Sequence, residues 1–159
     1  MTWPCSGALA AGRRHLLLLA CLALAACGGE QTKADQWVDQ HGTAYSSGDF
    51  DGRWLVINYW AEWCAPCRDE LPELNALDQV ADNIQVVGIH FDAYQGAELR
   101  QLSERMNIRF PVLGHDFAAA YALPLPQVLP TTYIISPEGV LAHTLQGPQD
   151  EAGLLALTQ

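Results

Sequence analysis

The chain of 159 residues is short of basic side chains, with eight Lys and Arg against 18 Asp and Glu. Its formal charge is −10 and its pI is near 4.6. A surface so poor in positive charge cannot neutralise a run of phosphates, which argues against nucleic-acid binding as the main function. The same shortage of positive charge argues against electrostatic binding to anionic lipid. The acidity favours basic partners, although many acidic surfaces are simply solvated.

Other features are also missing. The sequence contains no internal repeat, no glycine-rich phosphate loop and no nucleophilic serine pattern. Of its five cysteines, Cys5, Cys21 and Cys27 fall in the N-terminal segment, which leaves Cys64 and Cys67. One pair is not the disulfide framework of a small secreted domain. The length allows one domain, and an apolar fraction of 50% allows a sizeable core.

The N-terminal segment has the pattern of a targeting signal. Arg13 and Arg14 precede an apolar run of eleven residues, Leu16 to Ala26, which is too short to span a membrane and typical of a signal peptide. Its end, Leu24-Ala25-Ala26-Cys27, resembles the lipobox of bacterial lipoproteins. The resemblance implies cleavage after residue 26 and acylation of Cys27. The alternatives are an ordinary signal peptide with an incidental cysteine, or a retained anchor.

Residues 1–26 are thus predicted to be the signal peptide, residues 27–35 the lipidated cysteine with a polar tether, and residues 36–159 the folded domain. The residue directly after the predicted anchor Cys27 is Gly28 and not Asp. By resemblance to lipoprotein sorting, this slightly favours the outer membrane.

The stretch from Trp54 to Leu77 carries the chemistry. Trp54–Trp60 is an apolar run of strand length, and leucines recur at helical spacing after it. Cys64 and Cys67 lie between them, at a strand-to-helix junction. The helix N-terminus offers unpaired N–H groups and partial positive charge, which favour a thiolate. We therefore expect Cys64 to be the exposed nucleophile and Cys67 to be the resolving thiol, with Pro66 tolerated in the first helical turn.

The motif Trp63-Cys64-Ala65-Pro66-Cys67, preceded by Asn58 to Glu62, resembles the active site of the thioredoxin superfamily. Its continuation, Arg68 to Leu74, resembles the membrane-anchored, TlpA/ResA-like thiol-disulfide reductases, in which Cys-x-x-Pro-Cys is followed by a basic residue, x, Glu, x, Pro. The resemblance extends from about Gly52 to near the C-terminus. It implies the thioredoxin fold, an α/β fold with a central mixed sheet flanked by helices on both faces.

A second motif, Leu129-Pro130-Thr131, resembles the cis-proline that faces the cysteines in this superfamily. The resemblance implies a cis peptide bond before Pro130, with Leu129 and Thr131 next to the substrate. The alternative is an ordinary trans proline at the start of a strand. The other predicted substrate-binding residues flank the cysteines: Trp63, Ala65 and Pro66.

Glu70 follows Cys67 by three residues, so the two share a helix face. A carboxyl group there can take the proton from Cys67 during resolution, and the reductase branch uses a glutamate at this position. The alternative is a solvated acid in the first turn, favoured by the helix dipole. Asn58 stands on the strand where ordinary thioredoxins carry a buried Asp. Because Asn does not titrate, the proton role falls to Glu70.

A metal-binding protein, which is not an enzyme, is the alternative to a redox role for the cysteine pair. A copper(I)- or zinc-binding module would use Cys64 and Cys67, but it needs further ligands. There is no second cysteine pair, and no histidine lies near Cys64 in sequence. We therefore predict no metal and no cofactor beyond the redox-active Cys64–Cys67 disulfide. The scattered His90, His115 and His143 are interpreted as structural or surface residues.

The remaining patterns predict secondary structure that fits this fold. The predicted helices are Gly96 to Met106, Asp116 to Tyr121 with Asp116 as its cap, and Asp150 to Leu157. The predicted strands are Ile84 to Phe91, a short piece at Phe110 to Leu113, a hairpin of Thr131 to Ser136 with Val140 to Leu145, and an edge strand near Gln36 to His41.

The sequence therefore predicts a lipid-anchored, extracytoplasmic thiol-disulfide oxidoreductase of the bacterial cell envelope, monomeric and facing the periplasm. Ala65-Pro66 lacks the histidine of strongly oxidising relatives, which favours a reductase of protein disulfides over an oxidase or isomerase. The resemblance implies apocytochrome c or metallochaperone cysteines as substrates, and a membrane thiol-disulfide protein as the electron donor.

Overall fold

The computed structural model describes residues 36–80 and 82–159. The predicted signal peptide, Cys27 and the tether lie outside the described residues. Within the described residues, no helix is both long enough and apolar enough to cross a membrane.

The described part alternates strands and helices. In chain order the elements are β1 (Gln36–Val38), β2 (Ala44–Ser46), a 3₁₀ turn (Ser47–Asp49), β3 (Trp54–Trp60), α1 (Ala65–Val80), β4 (Ile84–His90), α2 (Gly96–Arg105), β5 (Val112–Leu113), α3 (His115–Ala120), β6 (Thr131–Ile135), β7 (Leu141–Gln146) and α4 (Glu151–Leu157).

The main sheet is mixed and has the order β5-β4-β3-β6-β7. Strands β3, β4 and β5 run parallel, whereas β6 and β7 are antiparallel to their neighbours. The register places Trp60, the last residue of β3, opposite His90, and it places Tyr59 opposite Thr131. The C-terminal ends of β3 and β4 and the N-terminal end of β6 therefore lie side by side. This end of the strands, called the sheet edge of the site below, is where the cysteine motif follows β3.

Both faces of this sheet are covered, as the alternating side chains of the strands require. On one face Val56, Val86 and Ile134 pack with buried residues of α1, α2 and α4. On the other face Leu55, Ile57 and neighbouring side chains pack with α3 and with Trp37 of β1. This arrangement confirms the predicted mixed sheet with helices on both faces.

The predicted edge strand near the start of the domain is wrong in its pairing. Residues Gln36–Val38 pair with Ala44–Ser46 in a separate two-stranded sheet, not with the main sheet. The Asp39 carboxylate accepts the N–H groups of His41 and Thr43, each at 2.8 Å, and so turns the chain back early.

Gln40, which follows this short strand, protects the β5 edge of the main sheet instead. Its buried amide donates to the carbonyl of Phe110 at 3.1 Å and accepts the N–H of Val112 at 2.7 Å. The side chain thus supplies two hydrogen bonds that a further strand would have made.

Two predicted local features have different outcomes. The cap of the third helix is wrong, because α3 begins at His115 with Gly114 as its N-cap and no side-chain capping bond. Asp116 falls inside the first turn, where it is no longer at the capping position. The late hairpin is confirmed, since Ser136 donates to the carbonyl of Val140 at 2.8 Å and Gly139 has a φ of 77° in the turn.

Candidate active site

Cys64 and Cys67 form a disulfide where β3 passes into α1. Cys64 directly precedes the helix and Cys67 lies in its first turn, with their Cα atoms 5.3 Å apart. The backbone N–H of Cys67 donates to the sulfur of Cys64 at 3.3 Å. After reduction, an N–H group in this position favours a thiolate on Cys64, which is consistent with the predicted role of Cys64 as the nucleophile.

The predicted exposure of Cys64 is wrong for the oxidised protein. Cys64 is 7% exposed and Cys67 is fully buried, so both belong to the core cluster under α1. The disulfide ties the sulfur of Cys64 to a side chain that points into this core, which draws it inward. Cys64 is still the more accessible of the two, as a first attacking sulfur must be.

Backbone hydrogen bonds between neighbouring residues fix the conformation of the chain around Cys64 and Cys67. The N–H of Cys64 donates to the carbonyl of Ala61 at 3.2 Å, which closes a turn between strand and helix. The carbonyl of Cys64 accepts the N–H of Arg68 at 3.3 Å and so begins the helical bonding. Pro66 stands in the first turn, where its missing N–H has no partner to lose.

Glu70 is buried, with 1% of its surface exposed, so the alternative of a solvated acid is wrong. One carboxyl oxygen accepts the Nδ2–H of Asn58 at 2.7 Å, and the other accepts the backbone N–H of Gln149 at 3.0 Å. Burial raises the pKa of Glu70 to about 7, although both hydrogen bonds lower it. A carboxyl group with this pKa exchanges its proton near neutral pH, which suits a proton acceptor.

Asn58 organises the space between Glu70 and the sheet. Its Nδ2 also donates to the hydroxyl of Thr132 at 3.0 Å, and Thr132 lies directly opposite Asn58 in the pairing of β3 with β6. The neutral amide therefore links the central strand, α1 and β6 without adding a second charge beside the buried carboxyl.

The peptide bond between Leu129 and Pro130 is cis, as predicted. Pro130 directly precedes β6, at the same sheet edge as the cysteines. Thr131 is buried and its hydroxyl donates to the carbonyl of Val128 at 2.7 Å, which holds the loop before the strand. The side chain of Thr131 is thus engaged within the protein. Its predicted proximity to substrate stays a prediction that rests on the backbone.

The predicted substrate-binding residues next to the cysteines lie at the surface. Ala65 and Pro66 are exposed, Leu129 is half-buried, and Trp63 is 59% exposed. The indole N–H of Trp63 donates to the Asp92 carboxylate at 2.8 Å, and its ring meets Phe91 edge-on. Trp63 is therefore held in one orientation despite its exposure.

Sequence reasoning missed a contact between buried His90 and half-buried Glu62 on the β4 side of the site. The Nε2 of His90 lies 2.8 Å from the Glu62 carboxylate, and the ring is stacked against Tyr94 with centroids 4.4 Å apart. The charge of Glu62 is the main cause of a raised pKa at Tyr94. The sequence signal that could have indicated this contact is the expected parallel pairing of β3 with β4. Because Trp60 lies opposite His90, Glu62, two residues further on, lies at the same end of the strands as His90.

One group of side chains is close enough to be compared with a metal site. Within the described residues, candidate ligand atoms of Glu62, His90 and Asp92 lie within 4.8 Å of one another. A histidine that binds a metal normally donates its other ring N–H to an acceptor. The buried Nδ1 of His90 has no hydrogen-bond partner in the described part of the chain, so this support is missing.

The sequence of this chain is similar to those of known thiol-disulfide proteins. The sequence model of the AhpC/TSA family matches residues 29–144. The thioredoxin-like protein YneN of Bacillus subtilis is 33% identical over 96 residues, which cover 58% of this chain and 56% of YneN. The thiol-disulfide oxidoreductase ResA of Oceanobacillus iheyensis is 31% identical over 103 residues, covering 62% of this chain and 52% of ResA. The chain thus spans about half the length of these curated relatives.

A solved structure shows the same fold. The thiol:disulfide interchange protein of Chlorobium tepidum aligns over 78% of this chain and 90% of its own, with a TM-score of 0.65. The two sequences are 21% identical, so the likeness concerns the fold. It agrees with the mixed five-stranded sheet described above.

Proposed function

Because this chain belongs to the AhpC/TSA family, we propose that it is a thiol-disulfide oxidoreductase that works through a Cys64–Cys67 dithiol/disulfide cycle. The observation that carries the proposal is the disulfide itself, which lies at the start of α1 and at the same sheet edge as the cis-proline Pro130. Such a pair accepts two electrons from one dithiol and donates them to another disulfide.

The proposed cycle transfers two electrons from the dithiol to the substrate disulfide. The Cys64 thiolate attacks one sulfur of a substrate disulfide, forms a mixed disulfide and releases the other substrate sulfur as a thiolate. Cys67 then loses its proton to Glu70 and attacks the sulfur of Cys64, which releases the second substrate thiolate. The substrate is reduced by two electrons, and Cys64 and Cys67 are left as the disulfide seen here.

Residues around the pair support these steps. The N–H of Cys67 faces the sulfur of Cys64 and stabilises its thiolate. The backbone beside Pro130 stands at the sheet edge where an extended substrate segment can pair with it. Exposed Trp63 and Pro66 provide apolar contact for the polypeptide around the substrate disulfide.

We propose that the chain acts as a reductase, because Ala65-Pro66 offers no histidine between the cysteines to stabilise the reduced form. Equilibration of the protein with glutathione and dithiothreitol buffers will give its reduction potential. The expected value is near that of thioredoxin, about −270 mV, and not near that of the oxidant DsbA, about −120 mV. A value at the oxidising end would make the protein an oxidase or isomerase.

The location and partners that we propose rest on the sequence of the N-terminal segment and on the names of the relatives. We place the protein in the bacterial cell envelope, held by acylated Cys27 and facing the periplasm. In that oxidising compartment a reductase needs a membrane thiol-disulfide protein to restore its dithiol. Its substrates would be protein disulfides, with those of cytochrome c maturation or of a metallochaperone as the candidates.

Changing Cys27→Ser is expected to move the protein from the detergent phase to the aqueous phase in a detergent phase-partition experiment. The reason is that acylation of the cysteine sulfur supplies the anchor in our proposal, and several fatty chains on one residue bind a bilayer firmly. The matched control is Cys21→Ser, which lies within the predicted signal peptide and should partition like the unchanged protein. Detergent partition of Cys27→Ser would mean that a retained apolar segment is the anchor.

A further inference from the structure

The two sides of the cysteine site differ in chemistry. Strand β3 leads into the cysteine motif, and β4 and β6 flank β3 on opposite sides. The end of β4 therefore lies on one side of Cys64, and the loop before β6 lies on the other. We call the first side the β4 wall, which includes Glu62, His90 and Asp92, and the second side the β6 wall, which includes Leu125 and Val128. The two walls carry different charges.

The β4 wall carries two carboxylates that are held in place. Glu62 is bound to Nε2 of buried His90 at 2.8 Å, and Asp92 accepts the indole N–H of Trp63 at 2.8 Å. Glu62 and Trp63 are the two residues that follow Ala61 and directly precede Cys64. Hydrogen bonds thus fix both acids beside the nucleophile, whereas an ordinary surface acid samples many rotamers.

Among the described residues, neither acid is paired with a lysine or an arginine side chain. In residues 36–80 and 82–159, the contact of Glu62 with His90 is the only acid–base pair within 4.0 Å. Arg68 donates to the backbone carbonyl of Glu62 at 2.6 Å rather than to its carboxylate. Of the 18 acidic residues, all but Glu30 and Asp35 fall in this part, against five arginines and no lysine. In the part of the chain that the structure describes, the β4 wall therefore carries two carboxylates that have no arginine or lysine partner within 4.0 Å.

The β6 wall is uncharged. No Asp, Glu, Lys, Arg or His occurs from Phe117 to Pro137, which includes the whole loop before β6. Leu125 and Val128 of this loop are 55% and 48% exposed. A partner that fills the site therefore meets apolar surface on one side of its disulfide and fixed carboxylates on the other.

We infer that the partner of this site is a polypeptide whose disulfide is flanked by Lys or Arg on the side facing Glu62 and Asp92, and by apolar residues on the side facing Leu125 and Val128. This inference rests on the proposed oxidoreductase function and names the class of its substrate. Exposed ion pairs contribute little to affinity, but complementary charge raises the rate of encounter. The preference should therefore appear in kcat/KM and fade as salt screens the charges.

The test uses three disulfide peptides that differ only in two residues beside one cysteine, which are Arg, Gln or Glu. At low salt we expect kcat/KM for the Arg peptide to exceed that for the Glu peptide by about tenfold or more, with the Gln peptide between them. The three values should converge as the salt concentration rises. Equal values at low salt, together with ordinary turnover of the Gln peptide, would overturn the inference and leave the oxidoreductase proposal intact.

Charge-removing variants separate the β4 wall from the overall negative charge of the protein. Glu62→Gln and Asp92→Asn keep an oxygen that can accept the bond from His90 or Trp63, so the positions of these side chains are preserved. The double variant should reduce the Arg-to-Glu ratio to near one.

The matched control is Glu138→Gln, which lies in the turn between β6 and β7 at the opposite end of β6 from Pro130. It removes one negative charge far from the site, as each of the two single substitutions removes one beside it, and it should leave the ratio unchanged. An unchanged ratio in the double variant would also overturn the inference. Loss of turnover with every peptide, the neutral one included, would overturn the proposed function and the inference with it.

Discussion

Cys64→Ser should abolish the reduction of protein disulfides, whereas Cys67→Ser should stop the cycle after its first half. The serine hydroxyl at position 64 is not ionised near neutral pH and is a poor nucleophile toward sulfur, so no mixed disulfide forms. With Cys64 intact and Cys67 replaced, the mixed disulfide forms but has no resolving thiol. The substrate should then accumulate on Cys64 as a covalent adduct.

Mass spectrometry of the unreduced protein measures this difference directly. Cys67→Ser should gain the mass of one substrate chain, and a reducing agent should remove it. Cys64→Ser should gain nothing under the same conditions. Ser103→Ala, a small change at a buried hydroxyl elsewhere in the fold, controls for general destabilisation and should keep the full cycle. Turnover by Cys67→Ser at the rate of the unchanged protein would contradict the resolving role.

Glu70→Gln is expected to remove a loss of stability that the unchanged protein suffers as the pH rises. The ordinary pKa of this carboxyl is 4.5, and in the folded protein burial raises it to about 7. A group with a raised pKa stabilises the fold fully below its unfolded value, and this contribution is lost as the pH rises through the folded value. The shift corresponds to about 3 kcal/mol between pH 4 and pH 8, at 1.36 kcal/mol per pKa unit.

Denaturant unfolding of the oxidised protein at several pH values measures this effect, because the disulfide stays intact throughout. The free energy of unfolding of the unchanged protein should fall relative to that of Glu70→Gln by about 3 kcal/mol from pH 4 to pH 8. Asp78 also has a pKa raised by burial, but it is present in both proteins and cancels in the difference. A difference that does not change with pH would show that Glu70 does not titrate as the structure indicates.

The same variant separates a proton-transfer role from a structural one. The single amide oxygen that Glu70→Gln leaves can accept from only one of Asn58 and Gln149, so a constant loss of stability at all pH values is expected as well. If Glu70 accepts the proton of Cys67, resolution of the mixed disulfide in the unchanged protein should accelerate as the pH rises through about 7. In Glu70→Gln this acceleration should be absent. An unchanged pH profile would leave Glu70 a structural residue.

Local sequence patterns predicted most of the secondary structure, since each pattern reports the environment of its own element. The apolar run Trp54–Trp60 is a strand with the bounds expected of it. The Cys-x-x-Cys motif lies at the strand-to-helix junction, and the Pro130 motif has the cis bond that the resemblance implied. The short segment Gln36–Val38 was harder, because three residues carry little periodicity and its pairing depends on the turn at Asp39.

The candidate reacting groups could be read from the sequence, namely two cysteines separated by two residues at a helix start, a proline before a strand and a glutamate one turn on. Their environment depends on contacts that form only when distant parts of the chain come together. Glu70 is buried because a backbone N–H from Gln149, 79 residues away, meets its carboxylate, and Glu62 is fixed because β4 brings His90 beside it. Burial and charge pairing are made by elements distant in sequence, so no local pattern records them. The candidate chemistry was therefore readable from the chain, whereas the raised pKa of Glu70 and the charges beside the cysteines were not.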